Sequence, residues 1–345
     1  MRVLVAANLT PFLKGGADDH IQNLSQALIQ AGHQVETLRL PFAFNPAADI
    51  ERAMQAARAL DLQAPSGQSI DRLISLQFPA YGVQHPHHIA WIMHQHRAVY
   101  ELFGSAKTPK AEQALRPAIH RFDAEVLAPI SSQGRLFANS KRVAERLQQF
   151  NQLNAKPIYH PPPDHQRFYA DKAEDYIFFP SRFESLKRQS LVIEAAQTIA
   201  SPLTIVLAGE GGQLEAAKEQ IARLGLGEKV KLLGRISAEE KIVWYSRALA
   251  VCFPPFDEDL GYVTLEAMLS AKPVITCVDS GGPCEFVTHN ETGLVVEPNP
   301  KALADAIDQL YQQRSLAIEM GQAGLAQWKS LNVSWSSVVD QLLAA

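Results

Sequence analysis

Short runs of Val, Ile and Leu alternate with longer stretches of helical spacing along nearly all of the 345 residues. Such runs, bounded by turn residues, read as strands buried on both faces. Their alternation with helices predicts βα units and parallel sheets. The first unit is a strand over residues 2–7, a polar loop holding Gly15 and Gly16, and a helix over 18–30. Ile21, Leu24, Ala27 and Leu28 share one face of that helix, and Gly32 is its stop. Strands follow at 35–40, 72–76, 89–93 and 136–138, with helices over 49–60 and within 97–128. The run Lys156-Pro-Ile-Tyr-His-Pro-Pro-Pro163 closes this half. Consecutive prolines continue neither a helix nor a central strand, so a stiff interdomain linker is expected there. The alternation then resumes with strands at 176–180, 203–208, 230–233, 250–253, 273–277 and 293–296. No period of about 20–50 residues recurs, which excludes a solenoid.

Composition narrows the picture. With 47% hydrophobic and 20% charged residues the chain is neither disordered nor a disulfide scaffold. A formal net charge of −4 excludes a nucleic-acid binder that relies on a general basic surface. Cys252, Cys277 and Cys284 are few and odd in number, which fits reduced thiols. No run reaches the roughly 18 apolar residues of a membrane span, and the start lacks a signal-like apolar stretch, so a cytoplasmic protein is expected. Residues 97–167 hold eleven Lys and Arg against six Asp and Glu. That basic stretch, with Lys141, Arg142 and Arg146, is either a solvated helix surface or a face for peripheral contact with anionic lipid.

The strongest chemical signal is Phe256-Asp-Glu-Asp-Leu-Gly-Tyr-Val-Thr-Leu-Glu-Ala267. A strand ends at Pro254-Pro255, an acidic loop follows, and a helix begins near Gly261. Backbone N–H groups of Tyr262 and Val263 then lie at a helix N-terminus, which suits a phosphate. Glu266, a turn further on, can accept hydrogen bonds from a vicinal diol such as a ribose, and Glu258 can reach another part of the same ligand. The two glutamates are separated by seven residues. This arrangement resembles the signature of the retaining nucleotide-sugar glycosyltransferases of family 4, which have the GT-B fold.

Other segments fit the resemblance. Arg182 and Lys187, in Phe179-Pro-Ser-Arg-Phe-Glu-Ser-Leu-Lys-Arg-Gln189, follow the first strand of the second half and are similar to the family's donor-diphosphate clamp. Fixed cations there stabilise the charge that develops on a leaving diphosphate. Arg188 stands where many relatives have Gly. Gly15 and Gly16 resemble the family's glycine loop, and Arg235 and Ile236 match the place where relatives hold the nucleobase. Ser280-Gly-Gly-Pro-Cys-Glu285 resembles a further loop beside the donor. By the same resemblance His94, after an N-terminal strand, points toward the donor sugar, with His96 as fallback.

Three features imitate other chemistry. His85, His87, His88, His94 and His96 crowd together, but their spacing is not that of a zinc helix. Gly209-Glu-Gly-Gly212 is a partial dinucleotide fingerprint with Leu214 where its last Gly would stand. Asp257-Glu-Asp259 imitates a metal-binding acidic triplet. No metal site is assigned, because the clamp and the helix start supply the charge that a divalent ion would bring.

The resemblance implies an α/β chain of GT-B architecture, with two Rossmann-like domains and parallel sheets facing across a cleft. The expected boundaries are 1–163 for the acceptor side, 164–325 for the nucleotide-sugar domain, and 326–345 for a C-terminal segment, with Trp328 and Trp335, packing back on the first domain. The implied activity is retaining transfer of a sugar from a UDP-sugar, or else a GDP-sugar, to a saccharide or lipid-linked saccharide, in bacterial polysaccharide or glycolipid synthesis. Alternatives are a GT-B nucleotide-sugar epimerase and a non-catalytic nucleotide-sugar-binding protein.

Overall fold

The computed structural model describes residues 1–12, 15–104 and 110–345. It divides into two compact units, Met1–Pro163 with Val333–Ala345, and Asp164–Asn332.

Unit 1 runs β1 (Arg2–Leu9), α1 (Gly16–Gln30), β2 (Gln34–Pro41), α2 (Ala47–Ala59), β3 (Arg72–Ser75), β4 (His88–Ile92), α3 (Lys110–Gln113), α4 (Arg116–Ser132), β5 (Leu136–Ala138), α5 (Lys141–Asn151) and β6 (Lys156–Pro157). Its six strands are all parallel, in the order β2-β1-β3-β4-β5-β6. Alternate residues of β1 feed two cores. Val3, Val5 and Ala7 pack with Ile21, Leu24 and Leu28 of α1, whereas Leu4 and Ala6 pack with Leu73 and Val83. Burial on both faces is why these strands read as continuous apolar runs. Gly32 ends α1 in the left-handed region at φ +85°, and the N–H of His33 reaches back to the Leu28 carbonyl.

The run 156–163 differs from the expectation of a linker throughout. Its first two residues form an edge strand against β5, and the chain leaves the unit only after Pro163. An edge strand tolerates Pro157 because its missing N–H faces away from the ladder.

Unit 2 contains β7 (Tyr176–Pro180), α6 (Gln189–Ala195), β8 (Thr204–Ala208), α7 (Leu214–Arg223), β9 (Val230–Leu232), α8 (Ala238–Arg247), β10 (Ala250–Cys252), α9 (Tyr262–Leu269), β11 (Val274–Cys277), β12 (Gly293–Val296), α10 (Pro300–Gln312) and α11 (Arg314–Ser330). The six parallel strands are ordered β12-β11-β10-β7-β8-β9. Sequence runs outward from β7 on one side and from β10 on the other. The gap between the ends of these two neighbours is therefore a topological switch point, where open α/β sheets bind ligands.

The last helix, α12 (Trp335–Leu343), belongs to unit 1, where Val338, Val339 and Leu342 join the core of β1 and α1. The expected boundary at residue 326 falls inside α11, and Trp328 lies in unit 2. Close backbone packing holds α11 there, because a Cβ on Gly321 would come within 2.1 Å of the Ala271 carbonyl oxygen. Trp335 does pack in unit 1, against the rings of His160 and Trp91. Among the described residues no helix is long and apolar enough to cross a membrane.

Candidate active site

Three loops meet at the switch point of unit 2. The first leaves β7 at Ser181, makes a single helical turn over Ser185–Lys187, and enters α6 through Arg188. It rests on the loop after β8: the N–H of Phe183 donates to the Glu210 carbonyl at 2.9 Å, and the N–H of Gln213 to the Phe183 carbonyl at 2.9 Å. Gly209 and Gly211 make that contact possible. A Cβ on either would lie 2.1 Å from the Ser181 oxygen or 2.5 Å from the Phe183 oxygen. The partial dinucleotide fingerprint is thus the glycine floor beneath Arg182, a role that the sequence signals only by placing the glycines directly after a strand.

The second loop follows β10 and the third follows β11. The N–H of Phe256 donates to the Leu186 carbonyl at 2.7 Å, that of Asp257 to Asp279 at 2.9 Å, and that of Glu258 to Ser280 at 2.9 Å. Gly281, at φ +70°, closes the third loop so near that a Cβ would lie 2.6 Å from the Glu258 oxygen. Gly261, also left-handed at φ +83°, starts α9. Loops of different strands therefore form one hydrogen-bonded surface at the helix start.

That surface carries the charges expected of it. Lys187 Nζ lies 2.5 Å from Glu258 Oε2, with each side chain 16% exposed. Arg182 is exposed, and among the described residues it has no carboxylate partner. Glu266 is 4% exposed, and its oxygens take Lys241 Nζ at 2.6 Å and the Tyr245 hydroxyl at 2.7 Å. Burial, followed by the neighbouring carboxylate, pushes the Tyr245 hydroxyl well above its ordinary pKa, so it stays a donor. Lys241 and Tyr245 were not found from sequence. Their signal is a spacing of four on α8, which sets both on one helical face. Arg235 and Ile236 lie between β9 and α8, where the Gly234 carbonyl accepts from Gly209 N–H at 2.7 Å.

The remaining expected residues sit in unit 1. Gly15 precedes α1 and donates its N–H to Asp18 Oδ2 at 3.1 Å, while Arg39 grips the same carboxylate at 2.8 Å. Gly16 is the first residue of α1. His94 is half-buried in the loop after β4, with Nδ1 2.9 Å from its neighbour's carbonyl. The fallback His96 is committed elsewhere, 2.7 Å from Glu112 Oε1 and against the ring of Phe78.

The histidines do not converge. His85 meets the Ile70 carbonyl, and His88 meets the Ser75 hydroxyl at 2.7 Å. Among the described residues no group of three or more His, Cys, Asp or Glu is placed to hold a metal ion. The basic stretch also loses a member. Arg146 is 1% exposed and lies 3.4 Å from Glu101, so it is a core cation and not part of a lipid-facing surface.

Two six-stranded parallel α/β units with their helices constitute the GT-B fold of glycosyltransferases. Residues 162–327 match the family model described as glycosyl transferases group 1. The chain is 32% identical over 165 residues to the alpha-1,3/1,6-mannosyltransferase of Homo sapiens, covering 43% of this chain and 39% of that protein. The chain spans less than two thirds of the length of the curated relatives it matches. Its fold is similar over 100% of its length to Anabaena HepE crystallised with UDP and glucose, with a TM-score of 0.73, 18% identity and 99% of that chain covered. Sucrose-phosphate synthase from Thermosynechococcus elongatus gives a TM-score of 0.75 at 20% identity, over 99% of this chain and 97% of its own.

Proposed function

We propose that the chain is a retaining glycosyltransferase that moves a sugar from a nucleoside diphosphate donor to an acceptor hydroxyl. The observation that carries this reading is that the loop bearing Arg182 and Lys187 and the loop bearing Glu258, which leads into α9 and its buried Glu266, leave the adjacent strands β7 and β10 at the switch point and join through Lys187–Glu258 and backbone hydrogen bonds. Arg182 and Lys187 stabilise the departing diphosphate together with the first-turn amides of α9 near Tyr262 and Val263. Glu266 holds the ribose hydroxyls, oriented by Lys241 and Tyr245. Arg235 and Ile236 border the nucleobase.

In the step itself the bond from the anomeric carbon to the diphosphate oxygen breaks, and a bond to the acceptor oxygen forms on the same face. The acceptor proton passes to the leaving phosphate oxygen. Glu258, already paired with Lys187, orients the sugar. These cations supply the charge stabilisation, so no divalent ion is required. The donor is a UDP-sugar, with a GDP-sugar as the other choice, and the acceptor is a saccharide or lipid-linked saccharide of bacterial polysaccharide or glycolipid synthesis. The human mannosyltransferase relative and HepE, crystallised with UDP and glucose, support a hexosyl donor. Such acceptors fit a cytoplasmic enzyme working at the inner face of the membrane.

The test is thermal stabilisation by UDP, GDP and ADP, in EDTA and in magnesium. A ligand at 100 times its Kd adds about 2.7 kcal/mol. One nucleotide is expected to stabilise the protein in EDTA. No shift from any of the three overturns the reading, and an inverted anomeric configuration in the product overturns retention.

A further inference from the structure

We infer that Arg188 is a positioning residue: its clasp on Asp279 holds Lys187 and Glu258 in place for the donor, an inference that rests on the proposed function. Arg188 sits at φ +59° and ψ +38°, a left-handed conformation that L side chains other than Asn and Asp rarely adopt. Strain of this kind persists only where the surroundings over-determine it. Here they do. The guanidinium forks onto Asp279, with Nη1 2.8 Å from Oδ1 and Nη2 2.6 Å from Oδ2. It also stacks 5.0 Å from the centre of the Phe256 ring. The side chains of Arg188 and Asp279 are only 21% and 32% exposed, so the fork is sheltered from water.

The geometry makes the pair more than a local tie. Lys187 and Arg188 are consecutive, and each reaches a carboxylate on a different loop, Glu258 and Asp279. Those two loops are joined through backbone, by Asp257 N–H to the Asp279 carbonyl and Gly282 N–H to the Glu258 carbonyl at 2.8 Å. The result is a closed four-cornered frame with Lys187 and Glu258 on one side and Arg188 and Asp279 on the other. Loosening the second side frees the first. A glycine at 188 would relax the backbone and leave the frame open.

The experiment compares wild type, Arg188→Gly, Arg188→Lys and Asp279→Asn by hydrogen exchange and by steady-state transfer. Amides of 256–258 and 280–282 are expected to exchange about tenfold faster in Arg188→Gly and in Asp279→Asn. Turnover should fall by a similar factor, with the acceptor KM and the thermal midpoint little changed. Arg188→Lys, which keeps the charge without the fork, should lie between. A purely structural role would lower the midpoint and leave kcat alone. Exchange at those amides equal to wild type overturns the clasp, as does unchanged kcat. If wild type shows no nucleotide stabilisation, the functional reading fails, and the exchange comparison still decides whether the clasp exists.

Discussion

Replacing Glu266 by Ala removes the acceptor of a fully buried hydroxyl and the partner of a half-sheltered cation in one step. Tyr245 keeps only a contact of 3.4 Å to the Val263 carbonyl, so its hydroxyl is left close to unpaired. That loss costs about 1–3 kcal/mol. Lys241 has a side chain 29% exposed and can turn to water, so breaking its pair adds about 0–1 kcal/mol. The better helix propensity of Ala returns a few tenths of a kcal/mol. The expected net loss is therefore about 1–4 kcal/mol, or roughly 3–12 °C for a unit of this size. Glu266→Gln keeps an oxygen for Tyr245 and should lose about 1 kcal/mol. Calorimetry with and without the stabilising nucleotide at 100 times its wild-type Kd separates this from ribose binding, because Ala should also forfeit the ligand increment of about 2.7 kcal/mol. An Ala variant that the nucleotide stabilises as strongly as wild type would refute the ribose assignment. One with an unshifted midpoint would refute the buried hydrogen-bond argument.

Four further outcomes are expected. Arg182→Ala should lower kcat/KM by about 2–4 kcal/mol in transition-state terms without changing the thermal midpoint, since its side chain is exposed and pairs with no carboxylate among the described residues; unchanged turnover would remove Arg182 from the clamp. Ala271→Gly should stabilise unit 2 by about 0.5–1 kcal/mol, because Ala271 sits at φ +49° and relief of left-handed strain exceeds the entropy of glycine; a lower midpoint would contradict it. Gly281→Ala should destabilise by about 2 kcal/mol or more and abolish nucleotide stabilisation, as its Cβ would meet the Glu258 carbonyl at 2.6 Å; a well-folded, nucleotide-binding variant would contradict it. Acidification should weaken unit 1. Burial lowers the pKa of His20, of His160 to about 4 and of His88 to about 3. The unfolded chain therefore takes up protons that the folded unit refuses as pH falls from about 6.5 toward 4, and stability drops. Burial raises Asp123 to about 6, which acts in the opposite sense over the same interval, one group against these three and His85, whose pKa burial also lowers. A thermal midpoint that holds or rises on acidification over this interval would refute the balance.

The strands were legible because burial on both faces leaves an unbroken apolar run: Leu136–Ala138, Tyr176–Pro180 and Gly293–Val296 match the sequence reading residue for residue. The edge strand Lys156–Pro157 was not, since two residues with a proline carry no pattern. Within the candidate site, the placement of Arg182, Lys187, Glu258 and Glu266 on loops and a helix start at strand ends was legible because the groups lie in short linear spacings. Lys241 with Glu266, and Arg188 with Asp279, are pairs 25 and 91 residues apart, so only the strand order brings them together. The packing role of Gly209 and Gly211 was not legible for a related reason. A glycine's role depends on the backbone it faces, here that of Ser181 and Phe183.

The division of the chain also sets an order of assembly during synthesis. Unit 2 is one continuous stretch, Asp164–Asn332, whereas unit 1 is completed only by Val333–Ala345. As the nascent chain emerges, β1 through β6 appear first but lack α12, whose Val338, Val339 and Leu342 are at most 3% exposed in the finished core. Unit 2 can then close while its predecessor still waits for the final helix. Until those residues leave the ribosome, the face of β1 and α1 stays uncovered, and this half of the molecule is the one a chaperone or protease meets unfinished.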